Sequence, residues 1–204
     1  MSRPLLTAPL FPALLILVGC APTTTSRPSF APSSSGASVS IVGISRAREC
    51  FDAASARRPS KALLAACDTA LAEVMIDQRT RAACYVNRGI IHMQLENLEA
   101  ALADFDAAIQ TRPKTPEAWI NKGIAHIRQG DDKTAAALLS HGLDLKPENP
   151  AVAYYSRAWA YEGLGRLREA YEDYGRAAAL APDWPDPYEQ LRRFKITRVK
   201  TAGA

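Results

Sequence analysis

Residues Ala82 to Thr115 read AACYVNRGIIHMQLENLEAALADFDAAIQTRPKT, and the 34 residues that follow, Pro116 to Asn149, lie over them position by position as PEAWINKGIAHIRQGDDKTAAALLSHGLDLKPEN. A third copy, AVAYYSRAWAYEGLGRLREAYEDYGRAAALAPDW from Ala151 to Trp184, comes after one extra residue, Pro150. Small side chains recur at Gly89, Gly123 and Ala158, at Ala101, Ala135 and Ala170, and at Ala108, Gly142 and Ala177. Large ones recur between them. Tyr85, Trp119 and Tyr154 form one column, Phe105, Leu139 and Tyr174 another, and Pro113, Pro147 and Pro182 close the units. A fixed period of this length is the mark of stacked, near-identical supersecondary units.

Within each unit the apolar spacing is helical, alanine is abundant, and Val, Ile and Thr never gather into the alternating runs that strands need. The fold class is therefore all-α. Small residues let the two helices of a hairpin approach closely, bulky ones fill the gap, and proline stops the second helix. A lone hairpin would leave an apolar face in water, so the units must stack. The columns resemble the tetratricopeptide repeat (TPR), which runs aromatic, glycine, aromatic, alanine, bulky residue, alanine and terminal proline at these spacings. The resemblance implies a TPR-type helical-hairpin solenoid over residues 82–184 that binds another protein, with Trp119 in the repeat core. One departure stands out: the usual aliphatic before the glycine is Arg88, Lys122 and Arg157. Asp104 follows Arg88 by sixteen residues and Asp173 follows Arg157 by the same interval, which predicts an ion pair across each outer hairpin. In the middle repeat both positions change, to Lys122 and Leu138.

Upstream, residues 41–80 read as a degenerate first hairpin, Arg46 to Arg57 and Lys61 to Met75, turning at Arg58, Pro59 and Ser60. Cys50 and Cys67 are equidistant from that turn, so a disulfide between them is expected, with Cys84 outside it. The alternative is two buried thiols whose faces do not meet. Downstream, residues 185–204 supply a C-terminal capping helix and tail. Asp186-Pro187-Tyr188-Glu189 reads as its capped start. Tyr188, Leu191 and Phe194 then share the inner face, with Glu189, Arg192, Arg193 and Lys195 outward.

The first residues carry an address. A basic start (Met1 to Arg3) precedes an apolar stretch from Leu5 to Val18 broken by Pro9 and Pro12, then Leu17-Val18-Gly19-Cys20. This is a signal-peptide layout. The apolar run is shorter than the roughly 20 residues a membrane-spanning helix needs. The four closing residues resemble the lipobox of bacterial lipoproteins, which implies removal of residues 1–19 and a thioether lipid, usually with an N-acyl chain such as palmitate, on Cys20. An ordinary secretory signal is the alternative. Ala21 stands where that family places aspartate for inner-membrane retention, so the resemblance implies the periplasmic face of the outer membrane. Residues 20–40 are rich in Pro, Ser, Thr and Ala and read as a lipidated Cys and a tether spanning roughly 25 Å.

Lys and Arg number 25 against 21 Asp and Glu, too even a balance for the basic stripe of a nucleic-acid binder. There is no Gly-rich phosphate loop, nucleophile elbow or His-Glu-x-x-His motif, so neither an enzyme nor a cofactor is expected. His92 and His126 sit one repeat apart and read as packing residues, and no metal is expected. In TPR proteins the positions one and five residues after the aromatic column line a concave groove. The resemblance thus implies a partner-binding groove of Val86, Asn87, Ile90, Met93, Ile120, Asn121, Ile124, Ile127, Tyr155 and Trp159, with Ser156 beside it. Of the basic and asparagine clamp used by chaperone-binding members, only Asn121 fits. An apolar groove suits an amphipathic helix or extended apolar segment of a periplasmic or envelope protein. Two alternatives stay open: these residues are covered by the chain's own tail, the first hairpin or a dimer mate, or the chain is a self-associating subunit.

Overall fold

The structure, a computed structural model, describes residues 42–56 and 60–194. The signal segment, Cys20, the tether, Arg57 to Pro59 and the tail from Lys195 lie outside the described residues. Among the described residues there are nine α-helices and no strand: α1 (Val42–Ala54), α2 (Lys61–Ala72), α3 (Gln78–Gln94), α4 (Leu98–Thr111), α5 (Pro116–Gln129), α6 (Asp132–Asp144), α7 (Ala151–Gly163), α8 (Leu167–Leu180) and α9 (Pro185–Leu191). Their contacts resolve into two compact units, one ending at Asn121 and one beginning at Lys122, so the boundary falls within α5.

In the N-terminal unit α1 pairs with α2 and α3 with α4, and α3 also packs on both α1 and α2. The α3–α4 pair is held by Phe105, fully buried against Gly89. A Cβ at Gly89 would stand 2.6 Å from the Phe105 ring, so only glycine admits that approach. The C-terminal unit repeats the device: a Cβ on Gly123 would meet Leu139 at 2.7 Å. In its last hairpin Ala158, Ala170 and Ala177 surround the buried ring of Tyr174, and α9 lies against α8.

The column Phe105, Leu139, Tyr174 is wholly buried. The other large column is not. Tyr85, Trp119 and Tyr154 are half-buried, which corrects the expectation that Trp119 is a core residue. The reason is local. The Trp119 indole N–H donates to the Pro113 carbonyl at 2.8 Å, so the ring lies along the preceding turn. Tyr85 and Tyr154 carry the guanidinium groups of Arg88 and Arg157 over their faces, at 5.7 and 5.5 Å.

The three hairpin turns share one geometry. In each, the amide of the residue after the turn reaches five residues back, Asn97 to His92, Asp131 to His126 and Arg166 to Tyr161, while the residue before it bonds three back. This is a Schellman closure, whose key residue has positive φ. Gly130 (80°) and Gly165 (74°) fill that place, but in the first of these turns it is Glu96 at 61°. Asn97 and Asp131 then cap the next helix, accepting from Ala100 and Thr134 amides, whereas Arg166 makes no side-chain cap.

Three expected elements shift in their bounds. The first helix is Val42–Ala54, against the expected Arg46 to Arg57. The second helix of the first hairpin stops at Ala72, short of Met75, because Arg81 donates to the carbonyls of Leu71 (3.1 Å) and Glu73 (3.2 Å) and closes its end. Asp77 restarts the chain as the cap of α3, accepting from the Arg79 and Thr80 amides. The Thr80 hydroxyl also donates to Asp77, which holds its carboxyl below the usual range. At the other end the cap residue of α9 is Trp184, not Asp186, with Pro185 in its first turn, and the helix stops at Leu191.

Candidate protein-interaction surface

Of the ten side chains expected to line a groove, Val86, Asn87, Ile90, Met93, Ile120 and Asn121 have no accessible surface, and Ile124, Ile127 and Tyr155 are buried as well. Only Trp159 is half-buried. A side chain without accessible surface cannot line an open groove, so as contact residues the nine are corrected to core. In the N-terminal unit α1 packs on α3, the helix that carries Val86, Asn87, Ile90 and Met93. Cys50 Sγ rests 3.7 Å from the Cys84 carbonyl, and Gln94 Nε2 donates to the Ala54 carbonyl at 3.2 Å. The first hairpin therefore packs along α3, the helix that carries Val86, Ile90 and Met93. In the C-terminal unit Tyr155 is closed in by rings, with Tyr174 at 5.3 Å and Trp184 at 4.8 Å. Burial pushes its phenol up to about 12, and pushes that of Tyr174 up further. Ser156 is buried with its hydroxyl unbonded.

Cys50 and Cys67 are joined by a disulfide, their Cα atoms 4.4 Å apart, and Cys84 lies buried outside it. The sixteen-residue interval correctly locates the two ion pairs. Arg88 meets Asp104 with two hydrogen bonds, 2.9 Å from Nε and 2.6 Å from Nη2, and its third donor reaches Asp68 at 2.7 Å. Arg157 meets Asp173 in the same fork, 2.7 and 3.1 Å, and donates to the Ser140 hydroxyl at 3.0 Å. Asp173 also accepts from Arg176 at 2.8 Å. His92 and His126 are half-buried, and their carbonyls accept the closing hydrogen bonds of two turns. Among the described residues no three His, Cys, Asp or Glu side chains gather as a metal site, and no helix is long and apolar enough to cross a membrane.

What remains accessible and apolar in the C-terminal unit was not singled out as such from sequence. Leu164 at the C-cap of α7 and Leu167 and Tyr171 at the start of α8 are exposed, as are Leu180 at the end of α8 and Tyr188 on α9. The ring of Phe194 lies 5.6 Å from Tyr171 and 6.1 Å from Tyr174, half-buried beside them. The signal was present: Leu167 and Tyr171 are four apart on one helical face and belong to none of the repeat columns.

Comparison with known proteins fits this architecture. Family models described as tetratricopeptide repeat match residues 86–150 and residues 151–184. These residues are TPR repeats, and they form a protein–protein interaction domain. Superkiller complex protein 3 of Mus musculus is 25% identical over 118 residues, covering 58% of this chain but 8% of that protein. The chain thus spans a small fraction of that relative. Among solved structures, MamA (41-end) from Desulfovibrio magneticus RS-1 superimposes with a TM-score of 0.57 at 23% identity, over 72% of this chain and 81% of that one. The first TPR of Spaghetti (RPAP3), solved bound to the HSP90 peptide SRMEEVD, gives 0.54 at 22% identity over 58% and 94%. Both likenesses concern the fold.

Proposed function

We propose that this chain is a non-catalytic adaptor of the bacterial cell envelope, anchored through lipid on Cys20 at the periplasmic face of the outer membrane and holding a protein partner on its repeats. The observation that carries this reading is the run of repeats over residues 86–184 downstream of the Leu17-Val18-Gly19-Cys20 motif. That a similar TPR domain is solved with a peptide bound supports a peptide or helix as ligand. The acidic end of that peptide is not the chemistry proposed here, because Asn121, the one clamp-like residue, is fully buried.

The contact surface moves with the burial pattern. Trp159 is the one groove position with surface left, and Leu167 and Tyr171 add exposed apolar area in the same unit. Aromatic anchors at such sites commonly account for about 2 kcal/mol on truncation, roughly thirtyfold in affinity. The test is cross-linking in intact cells with affinity recovery, comparing the wild type with Cys20→Ala, Trp159→Ala and Tyr171→Asp. An uncleaved precursor that takes up no labelled fatty acid is expected from Cys20→Ala, and loss of one specific partner from at least one of the other two. Normal processing of Cys20→Ala overturns the anchor, and unchanged capture by both surface variants overturns the contact surface. Self-association is separated by light scattering of the purified chain, which would then show an oligomer dissolved by Tyr171→Asp.

A further inference from the structure

The α2–α3 loop of the N-terminal unit leaves two adjacent large apolar side chains in water, Val74 at 86% and Met75 at 92% exposure. This is not fraying. Arg81 grips the carbonyls of Leu71 and Glu73 on one side, and Asp77 caps α3 on the other. Arg46 pairs with Glu73 at 3.0 Å, tying the loop to α1. The loop is thus a fixed tip with an apolar pair at its crest.

The Arg46 contact also says which end of the unit this is. Arg46 lies four residues into α1, so Val42, where the chain enters the domain, stands about 6 Å further along the axis. The segment arriving from Cys20 therefore joins the unit at the end from which Val74 and Met75 project. Of the acids around the crest, Glu73 pairs with Arg46 and Asp68 with Arg88, while Asp77 is held by the Thr80 hydroxyl and the Arg79 and Thr80 amides, so part of the repulsion an anionic surface would meet is removed. Arg79 adds an exposed basic side chain beside them.

We infer that Val74 and Met75 insert into the phospholipid surface to which Cys20 anchors the chain, forming a second, shallow contact that sets the orientation of the domain on the membrane. The inference rests on the lipid-anchor reading above. Lipid on Cys20 alone would keep the domain near the bilayer without fixing its attitude. Two apolar side chains at the entry end supply the missing constraint, since apolar residues partition into the interface while flanking arginines meet the headgroups. A broad concave partner site is not needed for this pair to be buried, only a surface.

The test uses the full lipidated chain reconstituted into vesicles of phosphatidylethanolamine with phosphatidylglycerol as the minor component, with and without brominated acyl chains. Met75→Trp adds a fluorophore at the crest, and Glu99→Trp adds one in the first turn of α4, past the far end of α3, read as difference spectra against the wild type. Both positions are exposed, so neither variant disturbs packing. The expected result is a blue-shifted, bromine-quenched signal from Met75→Trp and an unshifted one from Glu99→Trp. If the chain floats with the vesicles but neither signal shifts, or both do, the oriented contact is overturned while the anchor stands. If the wild type does not float, the anchor reading fails and takes this inference with it. Should the Met75→Trp signal stay unshifted on vesicles while Val74→Asp with Met75→Asp abolishes capture of a cross-linked protein, the crest is a protein interface and the membrane contact is refuted.

Discussion

Removing the carboxylate of Asp173 should be among the most damaging single changes in the C-terminal unit. Asp173 is 1% exposed and accepts two hydrogen bonds from Arg157 and one from Arg176. Without it, Arg157, whose side chain is 14% exposed, keeps the Ser140 hydroxyl and the ring faces of Tyr154 and Tyr161 but no carboxylate. Leaving one partner of a buried pair uncompensated costs about 3 to 5 kcal/mol, and the remaining exposure of Arg157 argues for the lower end. At about 3 kcal/mol, Asp173→Ala lowers the melting midpoint by roughly 6 to 12 °C. Asp104→Ala in the first repeat should cost less, about 1 to 2 kcal/mol, because Arg88 is more exposed and retains Asp68. The middle repeat supplies the control, since it places Lys122 and Leu138 at these positions. Arg157→Lys combined with Asp173→Leu reproduces that pair, lets the lysine extend to water, and should recover most of the loss. Circular-dichroism melts of the singles and the double give a coupling of about 2 kcal/mol. A double variant that melts as early as Asp173→Ala, or an Asp173→Ala loss below about 1 kcal/mol, refutes the reasoning.

Four further outcomes follow from the same packing. Gly89→Ala puts a Cβ 2.6 Å from the Phe105 ring and should cost about 1 to 3 kcal/mol in denaturant unfolding, whereas an unchanged midpoint would mean that the ring yields freely. Glu96→Gly relieves a left-handed non-glycine residue at the turn where its two counterparts already have glycine, and should raise stability by up to about 1 kcal/mol. Asp77, whose carboxyl is held low by the Thr80 hydroxyl, contributes stability that is complete above the unfolded carboxylate value near 4 and is lost as pH falls through the lower folded value. Asp77→Ala should lose about 1 kcal/mol at neutral pH and flatten the acid limb of a melting-temperature profile. Non-reducing peptide mapping of protein recovered from the envelope should link Cys50 to Cys67 with Cys84 elsewhere, and reduction should cost about 3 kcal/mol for a loop of this size.

The repeats were legible because their columns record close approaches. Gly89 with Phe105 and Gly123 with Leu139 are contacts that tolerate few other residues, so the period survives in a single sequence. The Arg–Asp interval was legible for the same reason, since hairpin geometry fixes which positions face one another. Burial was harder to read. Tyr154 and Tyr174 are the same residue type, yet one lies half in water and the other, on α8, is buried in a cluster with Tyr155 and Ala158 of α7 and the flanking Leu191 and Phe194. Hydrophobicity cannot tell them apart, because what decides is a neighbour outside the repeat. The expected groove failed on that point. Val86, Ile90 and Met93 are fully buried on α3, a helix on which α1 packs, and Tyr155 is closed in by rings that include Trp184, and those flanking elements carry little repeat signature. The Trp184 cap of α9 was missed because Asp186 and Glu189 imitate a capping box in sequence without making its hydrogen bonds.

The hairpin turns have a consequence for where this chain can accept change. In each, a single residue (Asn97, Asp131 or Arg166) finishes one helix and begins the next, so no residue is spare. An added residue there would rotate the second helix by about 100° and carry its buried columns out of the core. The junctions between repeats hold slack instead. The one irregularity in the sequence period, Pro150, falls at such a junction, between α6 and α7, where Lys146 takes a φ of 55° and the chain runs on to Asn149 outside any helix. Epitope tags, cleavage sites and fluorophores should therefore be inserted near Glu148, and family members should differ in length at the proline-closed joints while the hairpin turns keep theirs.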